Sequence, residues 1–329
     1  MNKIGGVKLG KYIFSRLINM IPTLFIVAII VFLITRMIPG DPASVMLGPQ
    51  ASREDVEALT EALGLNEPIH IQFLQYIGNL LQGDFGVSLS YNQPITDLII
   101  NRFPNTVVLA VSALIIAFMI GVPAGIISAS KQNSLIDYSI TTISLIGVSM
   151  PIFWLGVMLV LYFSVNLGWF PATGMGSMDD GFISYLKHLI LPSITLATIP
   201  TATFARITRS SMLEVITQDY IKTARSKGIS EFIVISKHAF KNAFNPLLTV
   251  LGLQISSLLG GAVLTETIFS WPGMGLLIMD AIEKRDFVVV QSTVLFIALI
   301  FVMVNLVVDI LYKVVNPKIS YSTNKGGTK

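Results

Sequence analysis

The sequence contains no cysteine and little charge. Without thiols there is no disulfide framework, no thiolate metal site and no iron–sulfur cluster. Only 12% of the 329 residues are Asp, Glu, Lys or Arg, against about 25% in ordinary soluble chains. Apolar residues make up 53% and the mean hydropathy is +0.73. Such a chain cannot clothe a soluble surface, which excludes a cytosolic enzyme, and the apolar content equally excludes disorder. Catalytic signatures are missing too. There is no HExxH and no GxSxG, and His70, His188 and His238 are scattered over separate segments, where they read as interfacial or capping residues. A channel filter such as TVGYG is absent.

Charge is absent from stretches long enough to cross a bilayer, which takes about 20 residues at 1.5 Å each. Six such windows run 17–35, 106–128, 138–167, 188–205, 243–265 and 287–308. The expectation is therefore an all-α integral membrane protein with six transmembrane helices. The third window is long, with no charge between Asp137 and Asp179. It reads as one tilted helix kinked near Pro151 with an interfacial entry at 139–145, or as two spans joined by a tight turn. With the N-terminus inside, sixteen Lys and Arg fall in cytoplasmic segments and six in outer ones, so both termini are expected to be cytoplasmic. The first window is too long for a signal-peptide core and no small-x-small cleavage site follows it, so it reads as a retained span.

The chain shows no engine of its own. Residues Gly5–Tyr12 approach the spacing of a phosphate-binding loop, but Tyr12 stands where the Mg²⁺-binding hydroxyl is needed and a span follows directly. That stretch reads as a flexible basic lead-in. Proton-driven carriers place ionisable groups inside spans, and here the span interiors carry none. Asp309 and Glu266 sit at span ends, as flanking anchors.

Two connecting segments are informative. The outer one, 37–103, opens on Pro39-Gly40-Asp41-Pro42, which breaks any helix. Ser52 with Asp55 reads as a helix start that should end before Gly64, and Pro68 suits the first turn of a helix to about Leu81. Pro94 is expected to open a short helix, 95–102. This segment is either a plain cap on the bundle or a docking surface or gate. The second segment, 206–245, is basic, apolar at helical spacing and interrupted by Gly228. A short helix, a glycine turn and a second helix fit it, lying flat under the membrane or seated in a groove of a cytoplasmic partner.

Here the residues become specific. Asp219-Tyr220-Ile221-Lys222-Thr223-Ala224-Arg225-Ser226-Lys227-Gly228, followed by Lys237-His238-Ala239-Phe240-Lys241-Asn242-Ala243 and Pro246, resembles the "EAA" loop of binding-protein-dependent ABC importer permeases. Pro39–Pro42, Gly83-Asp84-Phe85-Gly86 with Ser88, and Glu266–Gly275 (ETIFSWPGMG) resemble the dipeptide, oligopeptide and nickel subfamily. The large first outer loop is similar to that of its B-type subunit. One departure is that no Glu occupies the position that names the loop, around 221–223. The resemblance implies a type I ABC importer permease fold and a prokaryotic plasma-membrane location. It implies a second homologous permease, two ABC ATPases and an extracytoplasmic substrate-binding protein as partners, and no nucleic acid. The chain would bind no cofactor, ATP and Mg²⁺ belonging to the ATPases. The implied cargo is a dipeptide or oligopeptide, with nickel or a metal chelate as the alternative; a secondary transporter or a channel is the rival class.

In that frame the residues 1–36 are the N-terminus and first span, 37–103 an outer domain, 104–316 the transport domain with its coupling loop at 206–245, and 317–329 a tail. Tyr220 and Ile221 would fill a pocket on the ATPase, Ala224 would keep that face small, Arg225 and Lys227 would meet acidic rims, and Gly228 would turn the backbone close to the partner. A polar route through the spans is expected at helix breaks and small polar residues. The candidates are Ser149, Met150 and Pro151, then Pro192, Thr195, Thr198 and Pro200, then Gln254, Ser256 and Ser257. Gly121-x-x-x-Gly125 and Gly260-Gly261 read as helix-packing contacts.

Overall fold

The structure, a computed structural model, describes residues 3–37, 42–48, 50–62, 64–88, 90–177 and 179–315. The run Pro39–Asp41 and the tail 317–329 lie outside them. Among the described residues, five helices are long and apolar enough to cross a membrane, and a bent pair supplies the material of a sixth crossing. The long helices are α1 (Lys3–Met37), α5 (Ile95–Ser130), α8 (Phe182–Ile216), α11 (Phe240–Gly261) and α14 (Phe287–Val315). The protein is a multi-pass membrane protein. The near phosphate-loop stretch 5–12 is helical, part of α1, rather than a flexible lead-in or a strand-to-helix loop.

Helices α5 and α8 form the centre. A side chain at Gly121 would strike the Thr201 carbonyl and Phe204, and one at Gly125 the Ala205 carbonyl and Thr208. The glycine pair therefore lets the two backbones touch, as its spacing predicts. Around that seam Leu109, Ala113, Ala117, Leu196, Phe204, Leu247 and Trp271 form the main core. At Gly260 and Gly261, by contrast, no other element of the described chain comes within 4 Å of a side chain built there.

The third window breaks at Pro151 as expected, but far more sharply than a kink. It divides into α6 (Leu135–Ser149) and α7 (Ile152–Leu159, continued by a π-helical stretch Val160–Asn166), with 102° between the limbs. The break falls at the expected place because Pro151 has no N–H to continue the ladder and pushes Met150 into extended backbone, ψ 131°. The expected interfacial entry at 139–145 is simply the middle of α6.

Outside the bundle lie α2 (Pro42–Leu47), α3 (Arg53–Ala62) and α4 (Ile69–Leu81). Ser52 and Asp55 cap α3 reciprocally: the Asp55 N–H donates to Ser52 Oγ at 3.1 Å and the Ser52 N–H to Asp55 Oδ2 at 3.4 Å. Gly64, at φ +62°, follows the helix as expected. Pro68 precedes α4 rather than occupying its first turn. The expected short helix 95–102 is the start of α5, which runs unbroken through Pro104 and across the boundary drawn at 103. A small antiparallel pair, β1 (Val87–Ser88) with β2 (Gln93–Pro94), leads into it. Two residues per strand leave no periodicity to read, so the sequence carries no signal for it.

Helix α1 is fastened to α14 by polar contacts near both ends. Arg16 pairs with Asp309 at 3.0 Å, and the Thr35 hydroxyl reaches Gln291 Oε1 at 3.5 Å. Asp309 is thus a partner in an interhelical ion pair, which the reading as a flanking anchor missed. Arg36 donates to Gln72 Oε1 at 2.9 Å, which joins the same end of α1 to α4.

Candidate functional site

At the basic end of the bundle α8 continues past its apolar stretch to Ile216, so 206–216 is helix rather than loop. Two residues later α9 (Asp219–Ser226) begins, and after Gly228 the chain re-enters the bundle through α10 (Glu231–Ile233) and a π-helical stretch, Val234–Ala239, that runs directly into α11. The short helix, glycine turn and second helix are as predicted. Gly228 has φ +74° and nothing crowds its missing side chain. Its need is conformational, since a left-handed residue costs an L-amino acid about 1–2 kcal/mol.

The residues of α9 do not all face outward. Ile221 is 0% and Ala224 8% exposed. They pack with Ala129, Met212, Val234, Ala239 and Ala243. Val234 and Ala239 lie five residues apart, and a π-helix stacks such positions on one face. The pocket that Ile221 fills is therefore in its own chain, and Ala224 keeps close the contact of α9 with its own bundle. Arg225 likewise finds its acid within the chain: Nε and a terminal nitrogen donate to the two Glu231 oxygens at 3.0 and 2.6 Å, bridging the Gly228 turn. Facing outward are Tyr220, Lys222, Lys227 and Phe232, the last 80% exposed. Tyr220 accepts a hydrogen bond from Asn242 at 2.8 Å. Phe232 borders a cavity of about 370 Å³ with Pro123, Ile126, Ile127, Ile235 and Phe240. Sequence reasoning passed over Phe232 as a site residue, although an aromatic beside a charged turn was a signal.

Just inside this loop, Asp137 of α6 is buried and bound to α8. Arg209 donates from Nε at 2.7 Å and from a terminal nitrogen at 2.8 Å; Ser128 of α5 and the Asn133 N–H at 3.0 Å donate to the same carboxylate. Three helices meet on one side chain. Nothing in the sequence pairs residues 72 positions apart, so this network was not legible.

At the opposite end, Glu266 is no exposed anchor. It is wholly buried in α12 (Val263–Ile268) and accepts from Thr106 Oγ1 at 2.7 Å, the Gly275 N–H at 2.6 Å and the Leu276 N–H at 3.2 Å. Those amides open α13 (Met274–Glu283), so Glu266 caps a helix that has no side-chain cap of its own. The Trp271 indole N–H donates to the Asn105 carbonyl at 2.9 Å, and Asn105 donates to the Pro272 carbonyl at 2.8 Å. The motif Glu266–Gly275 is thus a knot tied to the start of α5. Gly86 and Ser88 are placed similarly: Ser88 donates to buried Asp286 at 2.6 Å, just before α14.

The expected route residues part company. Thr195 is buried, donates back to the Leu191 carbonyl at 2.8 Å and packs beside Gly156. Ser256 is buried and donates to Asn305 of α14 at 3.1 Å. Pro192 and Pro200 are also buried. These four are buried among the described residues. Ser149, Met150 and Pro151 border the corner between α6 and α7. Thr198 and Gln254 are partly exposed, and Ser257 is exposed on the α11 face that also holds Leu253 and Gly260.

Against known proteins, residues 121–321 match the family model "Binding-protein-dependent transport system inner membrane component", and residues 9–110 its N-terminal companion. The dipeptide transport system permease protein DppB of Alkalihalophilus pseudofirmus is 49% identical over 330 residues, covering 94% of this chain and 99% of that one. The di/tripeptide transport system permease protein DppB of Pseudomonas aeruginosa is 45% identical, and the glutathione transport system permease protein GsiC of Escherichia coli K12 44%, with the same coverage. An inward-facing MetNI methionine ABC transporter chain has a TM-score of 0.56 at 16% identity, covering 66% of this chain and 96% of that one. That likeness shows the type I ABC importer permease fold. With the family model spanning more than half of its length, the chain belongs to the binding-protein-dependent transport system inner membrane components.

Proposed function

We propose that this chain is the permease subunit of an ATP-driven importer of short peptides in a prokaryotic plasma membrane, with both termini cytoplasmic. It forms half of the translocation route beside a second, homologous permease. Two ABC ATPases supply ATP hydrolysis and Mg²⁺, and an extracytoplasmic binding protein delivers the cargo. The named relatives support the peptide cargo, because all three carry peptides in their names.

The observation that carries the coupling role is the join of the 217–239 segment to the bundle. It continues without slack into α8 on one side and α11 on the other, and Ile221 and Ala224 lock it inward. A push on its exposed side therefore moves two transmembrane helices as a body. In this reading Tyr220, Lys222, Lys227 and Phe232 meet the ATPase, while Ile221, Ala224, Arg225 and Gly228 shape the surface they sit on. Outward and inward opening alternate as the ATPases close and part, and Ser149, Met150, Pro151, Thr198, Gln254 and Ser257 border the route. Helices α2, α3 and α4 of the outer segment cap the outer mouth.

The test uses the missing cysteines. Phe232→Cys introduces the chain's single thiol, and in membranes importing a labelled dipeptide it is expected to cross-link to the ATPase in a nucleotide-dependent way. Absence of any adduct during active uptake, with the thiol shown reactive to a small maleimide, refutes the docking assignment. Competition of uptake by unlabelled dipeptides but not by nickel fixes the cargo class.

A further inference from the structure

We infer that the cleft between α6 and α8 at the basic end binds the phosphate headgroup of an anionic phospholipid. The cleft is a cavity of about 330 Å³ bordered by Arg206, Thr141, Ser144, Leu145 and Val148, and it also touches Ser149 of the proposed route. Three observations converge there.

The first is a spare cation. Asp137 is the nearby acid, and both of its oxygens already accept two donors: Oδ1 from Ser128 and Arg209, Oδ2 from Asn133 and Arg209. Arg209 is neutralised by that bidentate pair. Arg206, one helical turn earlier on α8, has no ion-pair or hydrogen-bond partner among the described residues and is exposed. A guanidinium offers five donors in a flat fork suited to phosphate oxygens.

The second is a set of idle hydroxyls. Thr141 and Ser144 stand three apart on α6 and so share a face of the helix. Neither makes a hydrogen bond among the described residues, while Ser210 on the same cleft bonds back to the Ile207 carbonyl at 3.1 Å. Donors left open beside an unpaired Arg are matched to an oxyanion.

The third is the wall. Leu145 and Val148, adjoining the hydroxyls, are 58% and 46% exposed. A free phosphate gains nothing from that apolar rim, whereas an acyl chain covers it. In the orientation proposed above, on which this step rests, the basic end of the bundle faces the leaflet whose anionic lipids attract Lys and Arg. Phosphate and chain together define a lipid.

The full transporter in nanodiscs, or released from them for native mass spectrometry, tests the assignment with dioleoyl-phosphatidylglycerol. Arg206→Gln is expected to weaken phosphatidylglycerol retention about tenfold, as loss of one charge-assisted fork predicts. Lys131→Gln, an equal change of charge at an exposed position outside the cleft, should leave retention unchanged. Ser144→Leu, which fills the cleft and keeps the charge, should also displace the lipid. Retention unaltered in Arg206→Gln, or lowered equally by Lys131→Gln, overturns the site. Equal retention of phosphatidylcholine overturns the headgroup, and displacement by soluble glycerol phosphate at matched concentration overturns the lipid in favour of a free anion. If Arg206→Gln spares the lipid but raises the KM for dipeptide uptake, the cleft belongs to the cargo route and the inference fails, while the importer reading stands.

Discussion

Single residues carry more of this fold than their neighbours suggest, and Glu266 is the clearest. Its carboxylate closes the amides of α13 and holds Thr106 of α5. Glu266→Leu leaves those donors orphaned in a buried site and is expected to cost about 2–4 kcal/mol, read as a lowered thermal midpoint in detergent. Burial, the strongest influence, pushes the Glu266 carboxyl above the ordinary carboxylate range, and the three hydrogen bonds pull part of the way back. The folded protein therefore holds this proton more tightly than the unfolded chain does. The residue's contribution is complete below the ordinary carboxylate pKa and declines as pH rises through the raised value. Glu266→Gln is expected to remove that slope, and parallel midpoint-against-pH curves for the two proteins would contradict it. Gly228 gives the second prediction. Gly228→Asp forces an L-residue to φ +74°, and is expected to abolish most substrate-stimulated ATP hydrolysis and uptake while leaving membrane insertion intact; normal uptake would count against the coupling role. The glycine turn was legible because only glycine sits there without strain. The role of Glu266 was not, because sequence shows an acid near a span end and hides the helix start eight residues later that needs it.

At the scale of elements, apolar windows and proline positions located every long helix and the break at Pro151. What they missed is direction. A run of uncharged residues is equally compatible with a slanted rod and with two limbs at 102°, because both bury the same side chains in lipid. The loop elements show the same limit. Periodicity predicted the α9 helix, but could not say that Ile221 turns toward Val234 and Ala239 rather than toward a partner. Ile221→Ala is accordingly expected to loosen α9 by roughly 2–4 kcal/mol, seen as accelerated amide exchange across 219–226, rather than to act as a pure interface change. Arg225→Ala severs a pair exposed to solvent and should alter global stability by less than about 1 kcal/mol; a larger fall in the melting midpoint would mean that the bridge holds the bundle and not only the turn.

For the whole molecule, the MetNI likeness covers about two thirds of the chain. Helix α1 leans on α14 through groups that hydrocarbon does not tolerate alone: Asp309 with Arg16 toward one face of the membrane, Gln291 with Thr35 toward the other. Lipid tails replace apolar helix surface at little cost, but they cannot replace a counter-charge. A version of this transporter trimmed of its leading helix would therefore not be a minimal pump. It would leave Asp309 without its counter-charge, and that loss would fall on the very helix that closes the bundle.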